Sequence, residues 1–310
     1  MTAHGIHTID TGFHRPGFDA AYLVVESGRG AFIDCGTNHS APRLLDALAQ
    51  AGLGNADVDW LILTHVHLDH AGGAGKLMAA LPNARLLVHA RGARHMIDPA
   101  QLIAGATAVY GEAEMQRSYG QLLPIDAARV VAATDGQSVD LAGRALVCID
   151  TPGHARHHHS IWDERSRTFF SGDSFGLSYR ELDSANGAFV IPTTSPVQFE
   201  PDAMHASIER MLALSPDSVH LTHFGRIAQP RRLADELHAQ IEAMVAIAQR
   251  HAADPERHAA IRAALAALYL QRAQQHGCAL SPERIKDLLA IDIELNAQGL
   301  GVWLDRSIKP

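Results

Sequence analysis

The feature that most constrains this chain is the run Thr64-His65-Val66-His67-Leu68-Asp69-His70. It follows residues 58–64, VDWLILT, whose length and β-branched content predict a buried strand. Residues two apart share a face where the backbone is extended, so His65 and His67 can grip one ion together. The chain then turns, and Asp69 and His70 can aim at a second ion nearby. Gly72 and Gly73 allow a close backbone turn into the next helix. Imidazole and carboxylate groups in this pattern suit Zn, Fe, Mn or Co.

Three single positions extend the set, each after a predicted strand. His154 follows Asp150-Thr151-Pro152-Gly153, Asp173 lies in Ser171-Gly172-Asp173-Ser174, and His223 lies in Leu221-Thr222-His223-Phe224-Gly225. Ligands at strand ends are held rigidly yet stay open to solvent on one side. The chain carries 20 histidines, several-fold more than usual, and histidine is the commonest metal ligand.

Around these positions strands and helices alternate, which favours an α/β class. Strands are predicted at 22–25, 31–34, 85–89, 129–132, 138–141, 146–151, 160–162, 168–171 and 218–222, with helices at 41–51 and 202–214. Residues 93–125 break the rhythm and read as a helical insertion over one end of the sheet. Residues 176–201, with the run PTTSP, read as a long loop. After Pro230 the strands stop, and helices are predicted at 231–250, 255–275 and 281–299, the last opening on Ser281-Pro282-Glu283. The expected organisation is a catalytic domain over 1–230 and a helical C-terminal appendage over 231–310.

On these motifs the sequence resembles the metallo-β-lactamase fold superfamily, whose signature is HxHxDH followed by His, Asp and His. The resemblance covers about residues 5–228. It implies a four-layer αβ/βα sandwich with the site along one edge. It also implies two divalent metal ions, zinc first and iron or manganese as alternatives. One would be held by His65, His67 and His154, the other by Asp69, His70 and His223, with Asp173 bridging. Asp34 matches the family's early strand-end aspartate, which supports the site from behind the ligands. His67 stands where flavodiiron-type oxidoreductases carry glutamate. The insertion and helical C-terminus look like glyoxalase II-like and quinolone-response thioesterases, and lactonases of acyl-homoserine lactones share the ligand order. The implied activity is attack by a metal-activated hydroxide on a thioester, lactone or related ester, with Asp69 orienting the nucleophile or shuttling its proton. The alternatives are a small-molecule phosphodiesterase, a mononuclear iron oxygenase of the persulfide dioxygenase type, and a regulatory ligand-binding protein with an intact metal site.

Other residues carry narrower expectations. Tyr179, six residues after Asp173, is a candidate donor to a substrate oxyanion, against a packed loop tyrosine. One of His157, His158 and His159 should hydrogen-bond within the site. Arg156 and Arg180 could meet a substrate anion, and His89 reads as a packed histidine. Two divalent ions against Asp69, Asp173 and a hydroxide leave a formal charge of about +1, which favours a small anionic or acyl substrate. The net charge of −8 with no basic stripe argues against nucleic acid. No apolar run is long enough to span a membrane, and no secretory signal opens the chain. Cys35, Cys148 and Cys278, without a CxxC pair, read as unpaired thiols of a cytoplasmic protein. The C-terminal helices could cap the pocket or form a homodimer face.

Overall fold

The computed structural model describes residues 3–307 apart from Ser195, so that part of the PTTSP loop lies outside the described residues. The first sheet runs in chain order: β1 (Ile6–Asp10), β2 (Ala20–Glu26), β3 (Arg29–Ile33), β4 (Val58–Leu63), β5 (Arg85–His89) and β6 (Val130–Ala133). Its first three strands are antiparallel neighbours; β3 through β6 are parallel. Parallel neighbours need crossovers. These are α1 (Ala41–Gln50), then α2 (Leu68–Ala71) with α3 (Ala74–Ala80), then α4 (Ala90–Ile97), α5 (Ala100–Tyr110) and α6 (Glu112–Glu114). The second sheet holds β7 (Ser138–Leu141), β8 (Arg144–Asp150), β9 (His159–Asp163), β10 (Thr168–Gly172), β11 (Ser218–Leu221) and β12 (Gly225–Ala228). Only β10 and β11 are parallel there, joined through α7 (Pro201–Ala213). After β12 come α8 (Pro230–Arg250), α9 (Arg257–His276), α10 (Pro282–Leu288) and α11 (Ala290–Ser307).

The period of two in the strands builds the layers. Leu61 and Leu63 of β4 pack with Leu44, Leu48 and Leu77 of the helices, while Ile62 faces Cys148, Ile161 and Phe170 of the second sheet. Leu86 and Val88 divide from Leu87 in the same way. A strand buried on both faces reads as a continuous apolar run, as Leu61, Ile62 and Leu63 do here. In the second sheet Phe170 faces the first, while Phe169 turns outward to the cluster that holds Leu237, Ile241, Leu265 and Leu300 of the later helices. The result is helices, sheet, sheet, helices: the expected four-layer sandwich. The helices after Pro230 do not build a separate core; they share one with β10 and β11.

Four elements differ from the sequence expectations. β1 and β12 are short, carry polar residues (His7, Thr8 and Asp10; Arg226) and lie at the sheet edges, so no apolar run announced them. The helix expected over 281–299 is two helices, separated at Leu289, where φ −98° and ψ 9° bend the chain. That bend brings Ile285 and Leu288 into the same cluster as Ile293, Ala297 and Leu304. The insertion begins at Ala90 rather than near 93. Cys35, Cys148 and Cys278 are free. Among the described residues, no helix is long and apolar enough to cross a membrane.

Candidate metal centre

β4 ends at Leu63 and delivers the histidine motif to the rim where both sheets present strand ends. His65 Nε2 lies 2.9 Å from His67 Nδ1, and His154 Nε2 lies 3.0 Å from the same atom. A second trio sits alongside. Asp69 Oδ2 is 3.8 Å from His70 Nε2 and 3.4 Å from His223 Nε2. Asp173 faces both trios: its Oδ2 is 3.4 Å from His154 Nε2, and its Oδ1 is 3.2 Å from His70 Nε2 and 3.7 Å from His223 Nε2. All seven residues proposed as ligands therefore meet in one place.

The residues fit a bound cation. His70 Nε2 and Asp173 Oδ1 are buried and make no hydrogen bond, a costly state for polar atoms. A cation between them would satisfy both.

The far side of four of the five rings is fixed. His70 Nδ1 donates to Asp34 Oδ2 at 2.8 Å. His65 Nδ1 donates to Thr64 Oγ1 at 3.2 Å, and Thr64 Oγ1 donates onward to Asp34 Oδ2 at 2.8 Å. His154 Nδ1 donates to Thr193 Oγ1 at 3.1 Å, and His223 Nδ1 to the Phe18 carbonyl at 3.0 Å. A proton held on Nδ1 leaves the Nε2 lone pair free for an ion. Asp34 also accepts from the Thr64 amide at 2.8 Å and from Thr222 Oγ1 at 3.1 Å, so one carboxylate ties the ends of β4 and β11 together.

Of the three consecutive histidines, His158 works within the site. Its Nε2 accepts from the Asp173 amide at 3.1 Å. His159 Nε2 donates to the Leu63 carbonyl at 2.7 Å and pins the end of β4. This closeness explains Gly172, at φ +49°: a Cβ there would stand 2.5 Å from His158 Nε2 and 2.7 Å from Thr64 Oγ1. Gly73 is needed for space rather than for backbone freedom. Its φ is −83°, and a Cβ would lie 2.5 Å from the Thr37 carbonyl.

Charge divides the two trios. Burial, then the neighbouring histidines, holds His65 and His67 well below the usual imidazole range. Burial also lowers His154. Burial pulls His223 down too, but Asp173 and Asp69 outweigh it and lift the ring to about 10. His70 is raised well above its ordinary value, because Asp173, Asp69 and Asp34 overcome its burial. Burial opposes ionisation of Asp69 and Asp173, yet His70 and its neighbours keep both carboxylates low. Without metal, one trio is neutral and the other is a cluster of opposed charges. The Asp69 side chain is 24% exposed against 7% or less for His70, Asp173 and His223, so Asp69 marks the open mouth.

Tyr179 corrects the sequence expectation. It is fully buried, and its hydroxyl donates to Asp292 Oδ1 at 3.1 Å instead of facing the trios. Its ring stacks on Phe18, whose edge meets His223, so it braces the wall of the site. Arg156 pairs with Glu200, and Arg180 with Asp183. His89 is packed as expected, its Nδ1 accepting from the Arg91 amide at 3.1 Å. Thr64, Thr193, Thr222 and the Phe18 carbonyl were not anticipated. For Thr64 and Thr222 the signal was present: a threonine directly before a ligand histidine at a strand end.

Comparison with known proteins agrees with this geometry. The sequence profile of the metallo-beta-lactamase superfamily matches residues 14–224. The chain is 29% identical over 244 residues to the metallo-beta-lactamase fold-containing protein ST1585 of Sulfurisphaera tokodaii, covering 76% of this chain and 84% of that protein. It is 30% identical over 233 residues to a hydroxyacylglutathione hydrolase of Acidiphilium cryptum, covering 74% of this chain and 75% of that one. Among solved structures, a metallo-beta-lactamase family protein from Thermus thermophilus, TTHA1429, shares the fold with a TM-score of 0.68 at 22% identity, over 98% of this chain and 94% of that one. Profile, relatives and fold lead to one statement: the chain belongs to the metallo-beta-lactamase superfamily.

Proposed function

We propose that this protein is a metal-dependent hydrolase of small acyl substrates, with a thioester first and a lactone or related ester next, working with two divalent ions. The observation that carries the reading is Asp173, with one carboxylate oxygen toward each trio. Similarity to a hydroxyacylglutathione hydrolase supports the thioester. When bound, such ions supply a nucleophile at neutral pH and polarise the substrate oxygen; the nitrogen and oxygen ligand set suits zinc first, then iron or manganese.

The chain's own work is positioning. Asp34, Thr64, Thr193 and the Phe18 carbonyl hold His70, His65, His154 and His223 in place before any substrate arrives. Asp69, at the open mouth, can accept the proton released on hydrolysis and pass it to solvent. The buried walls of Phe18 and Tyr179 keep water from the His223 side. Three free thiols support a reducing, cytoplasmic setting.

Elemental analysis of protein purified without added metal, with assays on thioesters, lactones and aryl phosphodiesters, tests the reading. About two equivalents of metal with turnover of one carboxylic ester class is expected. Turnover of phosphodiesters alone would replace the substrate class. One iron, oxygen uptake with a persulfide and no hydrolysis would replace the reaction. Full metal occupancy without any turnover would leave a ligand-binding protein.

A further inference from the structure

Two histidines outside the seven ligands meet between α7 and α8, which pack together. His205 of α7 and His238 of α8 stack with ring centroids 4.8 Å apart at 22°, and their Nδ1 atoms are 2.5 Å apart. Two ring nitrogens this close hold one hydrogen between them. His238 Nε2 donates to Glu209 Oε1 at 2.9 Å, so the neutral ring keeps its Nδ1 lone pair and accepts from His205 Nδ1–H.

This bond tolerates one extra proton and no more. A first proton can settle on His205 Nε2 and leave the shared hydrogen in place. A second has only His238 Nδ1 to go to, the lone pair that makes the bond. Two imidazolium rings would then stack as like charges. The charged groups around the pair are carboxylates of the same two helices: Asp202 and Glu209 of α7 and Glu242 of α8. Asp202 and Glu242 draw a proton toward His205, but burial and the neighbouring His238 outweigh them and keep the ring toward its neutral form.

α7 is also the seat of a metal ligand. Ser207 Oγ donates to the Pro152 carbonyl at 2.6 Å, and the Glu200 amide donates to the Gly153 carbonyl at 2.8 Å. A Cβ on Gly153 would stand 2.4 Å from Met204. The loop that delivers His154 therefore rests on the helix that His205 joins to α8.

We propose that His205 and His238 form a proton-sensitive clasp, closed at neutral pH and opened in acid, that steadies α7 beneath His154. As pH falls below 6.5, the unfolded chain takes up protons on both rings before the clasp does. Stability from the clasp is therefore present above that value and is lost as pH falls below it. As α7 loosens, His154 gives up metal sooner.

His205→Gln tests this, because a glutamine amide can donate to His238 Nδ1 or accept from it and never titrates. The Tm of the metal-loaded proteins is measured at about pH 7.5 and about pH 5. Protonation of the metal ligands themselves is common to both proteins and cancels. Over that change wild type should lose about 3 °C more than His205→Gln, the equivalent of one hydrogen bond. Metal release to a chelator should match at the higher pH and be about 5-fold faster from wild type at the lower. Equal pH dependence of Tm in the two proteins would overturn the clasp. A Tm difference with equal metal release at both pH values would overturn its action on His154. Should His205→Gln not fold, His238→Gln, which keeps an acceptor for His205 Nδ1–H, decides by the same two measurements.

Discussion

Asn296, on the last helix, grips Thr194: its Oδ1 accepts from the Thr194 amide at 2.7 Å and from Thr194 Oγ1 at 3.1 Å. Its Nδ2 donates to the Pro192 carbonyl at 3.0 Å. Between these two residues sits Thr193, whose Oγ1 accepts from His154 and donates to the Asp173 carbonyl at 3.0 Å. The C-terminal helices thus reach two ligands through three loop residues. Asn296→Ala leaves buried loop groups unpaired and should cost about 2 kcal/mol of stability. It should also loosen metal held by His154. Thermal unfolding with chelator competition checks both, and a loss of stability with unchanged metal affinity would break the proposed link.

Asp34→Asn puts an amide NH₂ among groups that all donate: His70, Thr64 and Thr222. Metal affinity should fall 10- to 100-fold, first on the Asp69, His70 and His223 side. Metal counted after dialysis should drop by about one equivalent. Two full equivalents at wild-type affinity would refute the support role of Asp34.

Metal uptake should release protons. His70 is raised well above its ordinary value and His223 to about 10, so both are protonated at neutral pH in the metal-free protein. An ion needs their lone pairs, so each bound ion on that side displaces protons, and affinity rises with pH below about 10. Calorimetry in buffers of different ionisation enthalpy should give buffer-dependent heats. Identical heats in every buffer would contradict the charge division between the trios.

The candidate ligands were legible in sequence because they lie within a few residues past the ends of β4, β8, β10 and β11, and because chemistry restricts the residue types. The layers were legible from β4 and β5, where alternate residues serve different cores. The supporting threonines were only partly legible. Thr64 and Thr222 adjoin ligands, but Thr193 reaches His154 across 39 residues of chain, a contact that only the fold creates. Tyr179 misled because sequence spacing after Asp173 says nothing about a partner on α11; Asp292 captures its hydroxyl. α11 did carry a signal for this. Asp292 and Asn296, four apart, are polar residues on the buried face of an otherwise apolar stripe, which marks partners waiting elsewhere.

Asp292 itself gives a prediction of definite sign. It is buried, its Oδ2 has no hydrogen bond, and burial raises its carboxyl from 3.8 to about 6 against the pull of His223, Tyr179 and Arg15. Between those values the folded protein holds a proton that the unfolded chain has lost. Stability from this group is therefore present at low pH and declines as pH rises through about 6. Asp292→Asn keeps an acceptor for Tyr179 and never ionises. Relative to wild type, it should gain on the order of 1 kcal/mol more stability at about pH 8 than at about pH 5. Denaturant unfolding of the metal-free proteins measures the difference at each pH, where contributions from unchanged groups such as Asp19 cancel. A stability difference independent of pH would mean that Asp292 is ionised in the folded protein throughout, paired with a cation across the pocket wall.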